Sequence, residues 1–112
     1  MNGESIAERL KNLQDFAIVF TKHAELRLVQ RQIEKKAVIS HLRNPASLKM
    51  VEKLASERQG DEKYKLWFIP TKRTALIYVI VINHQEQRII VKTVIKQRLM
   101  WQKKVEKNAK RV

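Results

Sequence analysis

The feature that most constrains the fold is a run of eight consecutive apolar residues, Ala75 to Ile82. A strand with one face in water alternates apolar and polar side chains, whereas a strand covered on both faces does not. The run is far too short for a membrane-spanning helix, which takes about 20 apolar residues. It therefore predicts a central strand that is covered, at least in part, on both sides.

Three further segments of the second half have strand character. Residues 48–54 alternate apolar and polar side chains, and residues 64–69 form an apolar and aromatic run. Pro70-Thr71-Lys72-Arg73 is predicted to connect that run to the central strand as a hairpin. Residues 83–87 turn the chain, and residues 88–95 alternate again as the last strand. The order predicts an antiparallel meander of four strands.

After a first helix, the first half continues with a short strand and two further helices. Residues 16–20 form an apolar, partly β-branched run that predicts a strand. Thr21 is a suitable N-cap for a helix that ends near residues 32–34, and a second helix follows from Glu34 to Arg43, where Asn44-Pro45 stops it. The fold prediction is an α+β two-layer domain, with an antiparallel sheet of about five strands and helices on one face. The 112 residues are expected to form a single domain with a core of about 16–96 and terminal helices at about 4–15 and 96–108.

The charge of the chain indicates the kind of partner. The formal net charge is +13, and from Arg88 to Val112 there are nine basic residues against one acid, Glu106. A field of this strength attracts polyanions, and nucleic acid is the expected partner. The alternative is a highly soluble surface without a nucleic-acid ligand.

The chain has no cysteine and no N-terminal signal pattern, so a cytoplasmic protein is expected.

The helix that begins after Thr21 carries an unusual combination of side chains. At about 100° per residue, His23, Arg27, Gln30 and Arg31 share an arc of about a quarter turn. Two apolar arcs flank this polar arc, one formed by Ala24 with Leu28 and the other by Leu26, Val29 and Ile33. A ridge of one imidazole and two guanidinium groups suits contact with a polyanion.

The same helix carries a resemblance to a known family. The motif His23-Ala24-x-x-Arg27-x-x-x-Arg31-x-Ile33 resembles the HAxxRxxxRxI signature of a widespread bacterial and archaeal domain-of-unknown-function family. The resemblance extends to Val38, Leu42, Asn44-Pro45 and the closing strand Val91-Lys92-Thr93-Val94-Ile95. The position before the motif isoleucine, often Gly in the family, is Gln32 here. The match covers about residues 16–96. The family is similar in architecture to the RelE/ParE and BrnT toxins of toxin–antitoxin pairs, so the resemblance implies a RelE-like fold and a toxin-type endoribonuclease.

Cleavage of RNA without a metal needs a base for the 2′-OH, cations for the phosphorane and an acid for the leaving 5′-oxygen. His23 is the best candidate for proton transfer, with Arg27 and Arg31 as the phosphate clamp. The alternatives are a backbone-bonded His23 and arginines paired with Glu25, Glu34 or a strand acid. Further contacts to RNA are expected along the last strand and the tail, from Lys92, Thr93, Lys96, Arg98, Lys103 and Lys104, with Trp101 as a base-stacking candidate.

The remaining candidates have ordinary explanations. His41 is expected to be a packed or surface histidine and His84 a solvated loop residue, and the three histidines lack metal-ligand spacing. Trp67 and Tyr64 are base-stacking candidates that are expected, as strand aromatics, to belong to the core.

No metal, cofactor or membrane is expected. The expected partners are RNA, including ribosome-bound mRNA, and an acidic antitoxin. The alternative function is a non-catalytic nucleic-acid-binding or protein-interaction module on the same fold.

Overall fold

A computed structural model describes residues 3–98 of the chain. Three helices and five strands follow one another in the order α1 Gly3–Lys11, β1 Ala17–Phe20, α2 Lys22–Arg31, α3 Lys35–Arg43, β2 Leu48–Leu54, β3 Glu62–Thr71, β4 Thr74–Asn83 and β5 Arg88–Arg98. The predicted α+β class and the five strands are confirmed. Within the described residues, no helix is long and apolar enough to span a membrane.

The sheet is built around the apolar run that dominates the sequence. Its strand order is β1-β5-β4-β3-β2, so β4 is the central strand, as predicted. Strands β2 to β5 form an antiparallel meander. On β4, Tyr78, Ile80 and Ile82 are fully buried on one face, and Ala75 and Ile77 are also buried on the other. The continuous hydrophobicity of the run therefore reflects burial on both faces.

The sheet is mixed, which corrects the prediction of an antiparallel sheet. Strand β1 lies parallel to β5, with Ala17 opposite Arg88 and Phe20 opposite Val91. Parallel neighbours need a long connection, and here α2, α3 and three strands lie between β1 and β5. The alternation of a four-residue strand carries no signal for its direction.

The helices pack on one face of the sheet and enclose a single core in the described part of the chain. Side chains from all three helices join those of one face of β3, β4 and β5, among them Ile6, Leu10, Ala24, Leu28, Val38, Leu42, Leu66, Phe68, Tyr78, Ile80, Val91 and Val94. The alternation of strand residues places Leu66, Phe68 and Tyr78 on this helix-covered face. The other sheet face carries Trp67, Val79 and Thr93, which are half-buried.

Helix α2 has well-formed ends. The Thr21 hydroxyl accepts a hydrogen bond from the Ala24 N–H at 3.0 Å, which confirms Thr21 as the N-cap. At the other end Gln32 adopts a left-handed conformation with φ 55°, and the Ile33 N–H donates to the Leu28 carbonyl at 2.9 Å. Glycine is favoured at such a position because it lacks a Cβ, so Gln32 adopts a backbone conformation that is uncommon for a residue with a side chain.

Three predicted boundaries are wrong. Helix α1 ends at Lys11 rather than near residue 15, because the Arg43 guanidinium binds the carbonyls of Leu13 and Phe16 (3.0 and 2.6 Å) and holds that segment as a turn. Strand β3 continues through Pro70 to Thr71. Proline is tolerated there because the Ile69 N–H faces the β2 side and bonds to Ser47, so the Pro70 nitrogen faces β4, where the β3–β4 register shifts between Phe68 and Thr71 and regular pairing is interrupted.

The third boundary concerns the predicted C-terminal helix. Residues 96–98 belong to β5 and not to a helix, because Lys96, Gln97 and Arg98 pair with Leu76, Ala75 and Thr74 of β4. The ladder continues for as long as β4 offers partners. The rest of the predicted helix lies outside the described residues.

Candidate nucleic-acid interface

Helix α2 is attached to β5 at its first turn. The Thr21 N–H donates to the Val91 carbonyl (3.1 Å) and the Thr21 hydroxyl donates to the Lys92 carbonyl (3.1 Å). From this point Ala24 and Leu28 bury their side chains in the core that Val91 and Val94 share. The predicted neighbourhood of the motif helix and the last strand is therefore present.

A basic groove lies where α2 ends above the ends of β4 and β5. Its lining residues are Arg31, Thr74, Lys96 and Arg98, and it is open to solvent with a volume of about 400 Å³. Lys96 and Arg98 alternate with Gln97, so both lie on the helix-covered face, beyond the last apolar residues of the core. Three cations and one hydroxyl converge there without a carboxylate among the lining residues, which suits an anionic ligand.

His23 and Arg27 lie on the same helix but do not line this groove. His23 is exposed, and no hydrogen bond or ion pair of its side chain is found within residues 3–98. Arg27 is half-buried and donates to the Gln30 amide oxygen at 3.2 Å. Eight residues separate His23 from Arg31, which is about 12 Å along a helix axis.

The alternative ion pairs of the motif arginines do not form in the described part of the chain. Glu25 pairs with Lys35 at 2.8 Å, and Glu34 lies 3.9 Å from Lys36. The two carboxylates nearest in sequence to the motif arginines therefore lie beside lysines of α3 instead. Arg31 is left exposed at the groove.

Lys92 and Thr93 lie on the sheet face opposite the basic groove. The β4–β5 register shifts so that Ile80 pairs with Val91 and Val79 with Thr93, which leaves Lys92 as the extra residue of a β-bulge. Lys92 lines a separate cavity of about 130 Å³ together with Lys63, Val81 and Ile90. The predicted set of strand residues is therefore divided between two faces, and Lys96 and Arg98 alone join Arg31. Trp101, Lys103 and Lys104 lie outside the described residues.

A charged cluster at the other end of the sheet was missed by sequence reasoning. The Arg9 guanidinium binds both carboxylate oxygens of Glu62 and donates to the Tyr64 hydroxyl at 2.8 Å. The Tyr64 hydroxyl donates to Glu62 at 2.7 Å, and the ring of His84 lies 2.6 Å from the same carboxylate. The Arg9 hydrogen bonds lower the pKa of Glu62 from its ordinary 4.5 to about 2.

No short-range pattern predicts this cluster, because Arg9 and Glu62 are 53 residues apart. His84 is exposed, as expected for a loop residue, but it is not simply solvated, since it bonds to Glu62 and makes an edge contact with Phe16. The cluster fastens α1 to the start of β3. Its guanidinium and carboxylate neutralise each other, so it offers little attraction to a polyanion.

His41 is packed, which is one of the two predicted alternatives. Its Nδ1 lies 2.8 Å from the hydroxyl of the buried Tyr78, and its ring stacks on Phe68 at a centroid distance of 5.2 Å. Burial lowers the pKa of His41 and raises the pKa of Tyr78. Burial thus favours the neutral form of both side chains, and His41 contributes to the core.

The two aromatic residues of β3 have different surroundings. Tyr64 is fully buried on the helix-covered face. Trp67 is half-buried on the opposite face, and the Lys65 ammonium lies over its ring, 4.9 Å from the centroid. Within residues 3–98, no group of three His, Asp or Glu side chains is placed to hold a metal ion.

The cluster gives a prediction for the replacement of Glu62 by Gln. Because the folded-state pKa lies below the ordinary value, the folded protein binds fewer protons than the unfolded chain between about pH 4.5 and 2. The stability that the charge contributes is thus present at pH 7 and is lost as the pH falls through this range. Glu62→Gln is expected to cost about 1–2 kcal/mol at pH 7, after allowance for solvent screening.

Urea unfolding of both proteins at pH 7 and pH 3 measures this difference. The penalty of Glu62→Gln should shrink at pH 3, because the unfolded wild-type chain binds a proton at Glu62 there while most of the folded protein does not. Glu57→Gln, at an exposed loop carboxylate, is the matched control and should change stability little at either pH. An equal penalty for Glu62→Gln at both pH values would show that the charge contributes nothing.

Comparisons with known proteins give no relative from which a function could be inferred. No family model matches the chain, and neither a curated protein nor a solved structure matches it.

Proposed function

We propose that this chain is a cytoplasmic RNA-binding protein that holds the phosphodiester backbone in the basic groove. The observation that carries the proposal is the convergence of Arg31, Lys96 and Arg98 around an open groove without a lining carboxylate. Guanidinium forks and an ammonium group bind phosphate oxygens well and release counterions from the nucleic acid. The net charge of +13 adds long-range attraction. The choice of RNA, and of a RelE-like arrangement of this α+β domain, follows the resemblance of the motif helix.

A second candidate function is a metal-independent endoribonuclease of the toxin type. It is favoured by His23, an exposed imidazole on the helix that also carries Arg31. In this reaction His23 takes the 2′-OH proton while the 2′-oxygen attacks phosphorus. Arg27 and Arg31 stabilise the phosphorane, and the bond to the 5′-oxygen breaks as that oxygen takes a proton from a water molecule. The products are a 2′,3′-cyclic phosphate and a 5′-hydroxyl. An acidic antitoxin is the expected partner of such a toxin.

One set of assays separates binding from cleavage. The purified chain is titrated with labelled single-stranded RNA at several salt concentrations, and the RNA is then examined on a denaturing gel, with and without ribosomes. Binding through phosphate contacts predicts that log K falls linearly with log salt. Salt-independent binding, or none at 0.05 M salt, would contradict the proposed function.

The nuclease candidate predicts cleavage that His23→Ala slows by about 10²–10⁴-fold. The melting temperature should not change, because His23 is exposed. Arg27→Ala is tested beside it, and His84→Ala is the matched control for an exposed histidine outside the motif helix. Intact RNA with all four proteins, ribosomes included, would exclude cleavage. An unchanged rate with a lower melting temperature would make His23 a structural residue.

A further inference from the structure

The sheet has a second apolar face, opposite the one on which the helices pack. All three described helices join the core on the face of Leu66, Phe68 and Tyr78. Strand alternation places the neighbouring residues of β3, β4 and β5 on the opposite face. We call this surface the open sheet face, and its apolar residues are Trp67, Ala75, Ile77, Val79, Val81, Ile90 and Ile95.

The open sheet face has the composition of a buried surface. An apolar sheet face is normally covered by a second layer, and exposed apolar patches larger than a few hundred Å² are rare. Ala75 and Ile77 are only 2% and 5% exposed, although the described helices lie on the other face. Val79 and Val81, farther along β4, are half-buried. We therefore expect a covering layer that starts where β4 begins.

The chain leaves β5 at this same end of the sheet. Arg98 pairs with Thr74, so the residues that follow it start beside the first residues of β4. Residues 99–112 follow Arg98 in the sequence and lie outside the described residues. As a helix this segment would be about 20 Å long, at about 1.5 Å per residue. The distance along β4 from Ala75 to Val81 is also about 20 Å, at about 3.3 Å per residue.

The sequence of residues 99–112 has one apolar stripe at helical spacing. At about 100° per residue, its apolar members fall within an arc of about 80°, and they are Trp101, Val105, Ala109 and Val112. The charged residues lie outside this arc and are Lys103, Lys104, Glu106, Lys107, Lys110 and Arg111. A helix with this pattern buries one face and keeps its cations in water.

We propose that residues 99–112 form an amphipathic helix that packs back on the open sheet face. Trp101 packs near Ala75 and Ile77, and the rest of the apolar stripe follows β4 toward Val81. The segment is attached to the end of β5, so its effective concentration at this face is high. A second copy of the chain would instead bring a further charge of +13 to the same surface. The proposal makes Trp101 a packing residue, and it does not depend on RNA binding.

The test locates the segment within the full chain by NMR. The chain has no cysteine, so a nitroxide label can be attached at one introduced cysteine. Lys107→Cys places the label on the charged side of the proposed helix, away from the apolar stripe. The label is expected to broaden the methyl signals of Ile77, Val79 and Ile95 strongly. The signals of Val38, which α3 buries on the other side of the sheet, should be affected much less.

Two controls accompany the label at Lys107→Cys. Lys11 is exposed on α1, on the helix-covered side of the sheet, so a label at Lys11→Cys should leave the signals of Ile77 and Val79 sharp. A mixture of nitroxide-labelled protein with isotope-labelled, nitroxide-free protein reports contacts between copies. This mixture should show no broadening on the open sheet face.

Two pairs of substitutions separate the apolar stripe from the charged side of the segment. Trp101→Ala together with Val105→Ala should increase the equilibrium constant of unfolding at least about 10-fold, because both side chains leave the contact with the sheet. Lys107→Ala together with Lys110→Ala is the matched control and should change it less than about 3-fold. Alanine favours a helix, so neither pair interrupts the segment. Urea unfolding of the full chain measures both.

Three results would overturn the proposal. They are sharp methyl signals on the open sheet face with the label at Lys107→Cys, equal losses of stability from the two alanine pairs, and broadening in the mixture as strong as within one labelled chain. The last result would assign the open sheet face to a second copy. If the variant with Trp101→Ala and Val105→Ala does not fold, the label at Lys107→Cys still decides, because it leaves the apolar stripe unchanged.

Discussion

Replacement of Arg31, Lys96 and Arg98 together by glutamine is expected to weaken binding of single-stranded RNA by about 100-fold at 0.1 M salt. Each phosphate contact to a single strand contributes about 0.7 to the slope of log K against log salt, which is about a factor of 5 at 0.1 M. Three lost contacts multiply to about 100-fold. The magnitude of the salt slope should also fall by about 2, because fewer counterions are released.

The control for this triple variant removes the same charge elsewhere. Lys11, Lys49 and Lys53 are exposed, on α1 and on the edge strand β2, and their replacement by glutamine lowers the net charge equally. If affinity depended on net charge alone, both triple variants would bind RNA equally weakly. The groove proposal predicts that the control loses less than about 10-fold and keeps most of its salt slope.

The fold was predictable to the extent that local patterns determine it. The uninterrupted run of β4 predicted a central strand, and Thr21 and Pro45 predicted where α2 begins and where α3 ends. Both signals are local, since burial on two faces requires an apolar run and an N-cap requires a side-chain acceptor. The direction of β1 was not predictable, because it depends on the path of the chain through the other elements.

The candidate site was predictable only in part, because its assembly depends on strand register. A period of two places Lys92, Lys96 and Arg98 on one face of β5, but the bulge at Lys92 moves this residue to the other face. Helical periodicity likewise gave two apolar arcs on α2 without indicating which one is buried. Ala24 and Leu28 pack on the sheet, which leaves Leu26 and Val29 in solvent.

The cluster of Arg9 and Glu62 shows the same limit in electrostatics. The charges of both residues are evident in the sequence, but their pairing requires α1 to lie beside the start of β3. His84 joins them because the β3–β4 hairpin places Ile82 opposite Glu62. Contacts between residues so distant in sequence have no periodic signature, so an ion pair of this kind is found from the fold and not before it.

Replacement of Phe68 by alanine is expected to cost about 3–5 kcal/mol of stability, a large part of the total for a domain of this size. Phe68 is fully buried, stacks on His41 and lies 5.3 Å from the ring of Tyr78, so its loss leaves a cavity between α3 and the sheet. Urea unfolding with an unchanged m-value measures the cost. Met50→Ala, on a side chain that is half in solvent, should cost less than about 1 kcal/mol.

Phe68→Ala and the triple glutamine variant together distinguish a loss of stability from a loss of RNA binding. Phe68 does not line the basic groove, so the folded fraction of Phe68→Ala should bind RNA with the affinity of the wild type. The triple glutamine variant should do the opposite, with a wild-type unfolding curve and weak RNA binding, because Arg31, Lys96 and Arg98 are exposed. A triple variant that lost stability as well would indicate that these cations hold α2 against β5, and its lower affinity would then not identify a binding site.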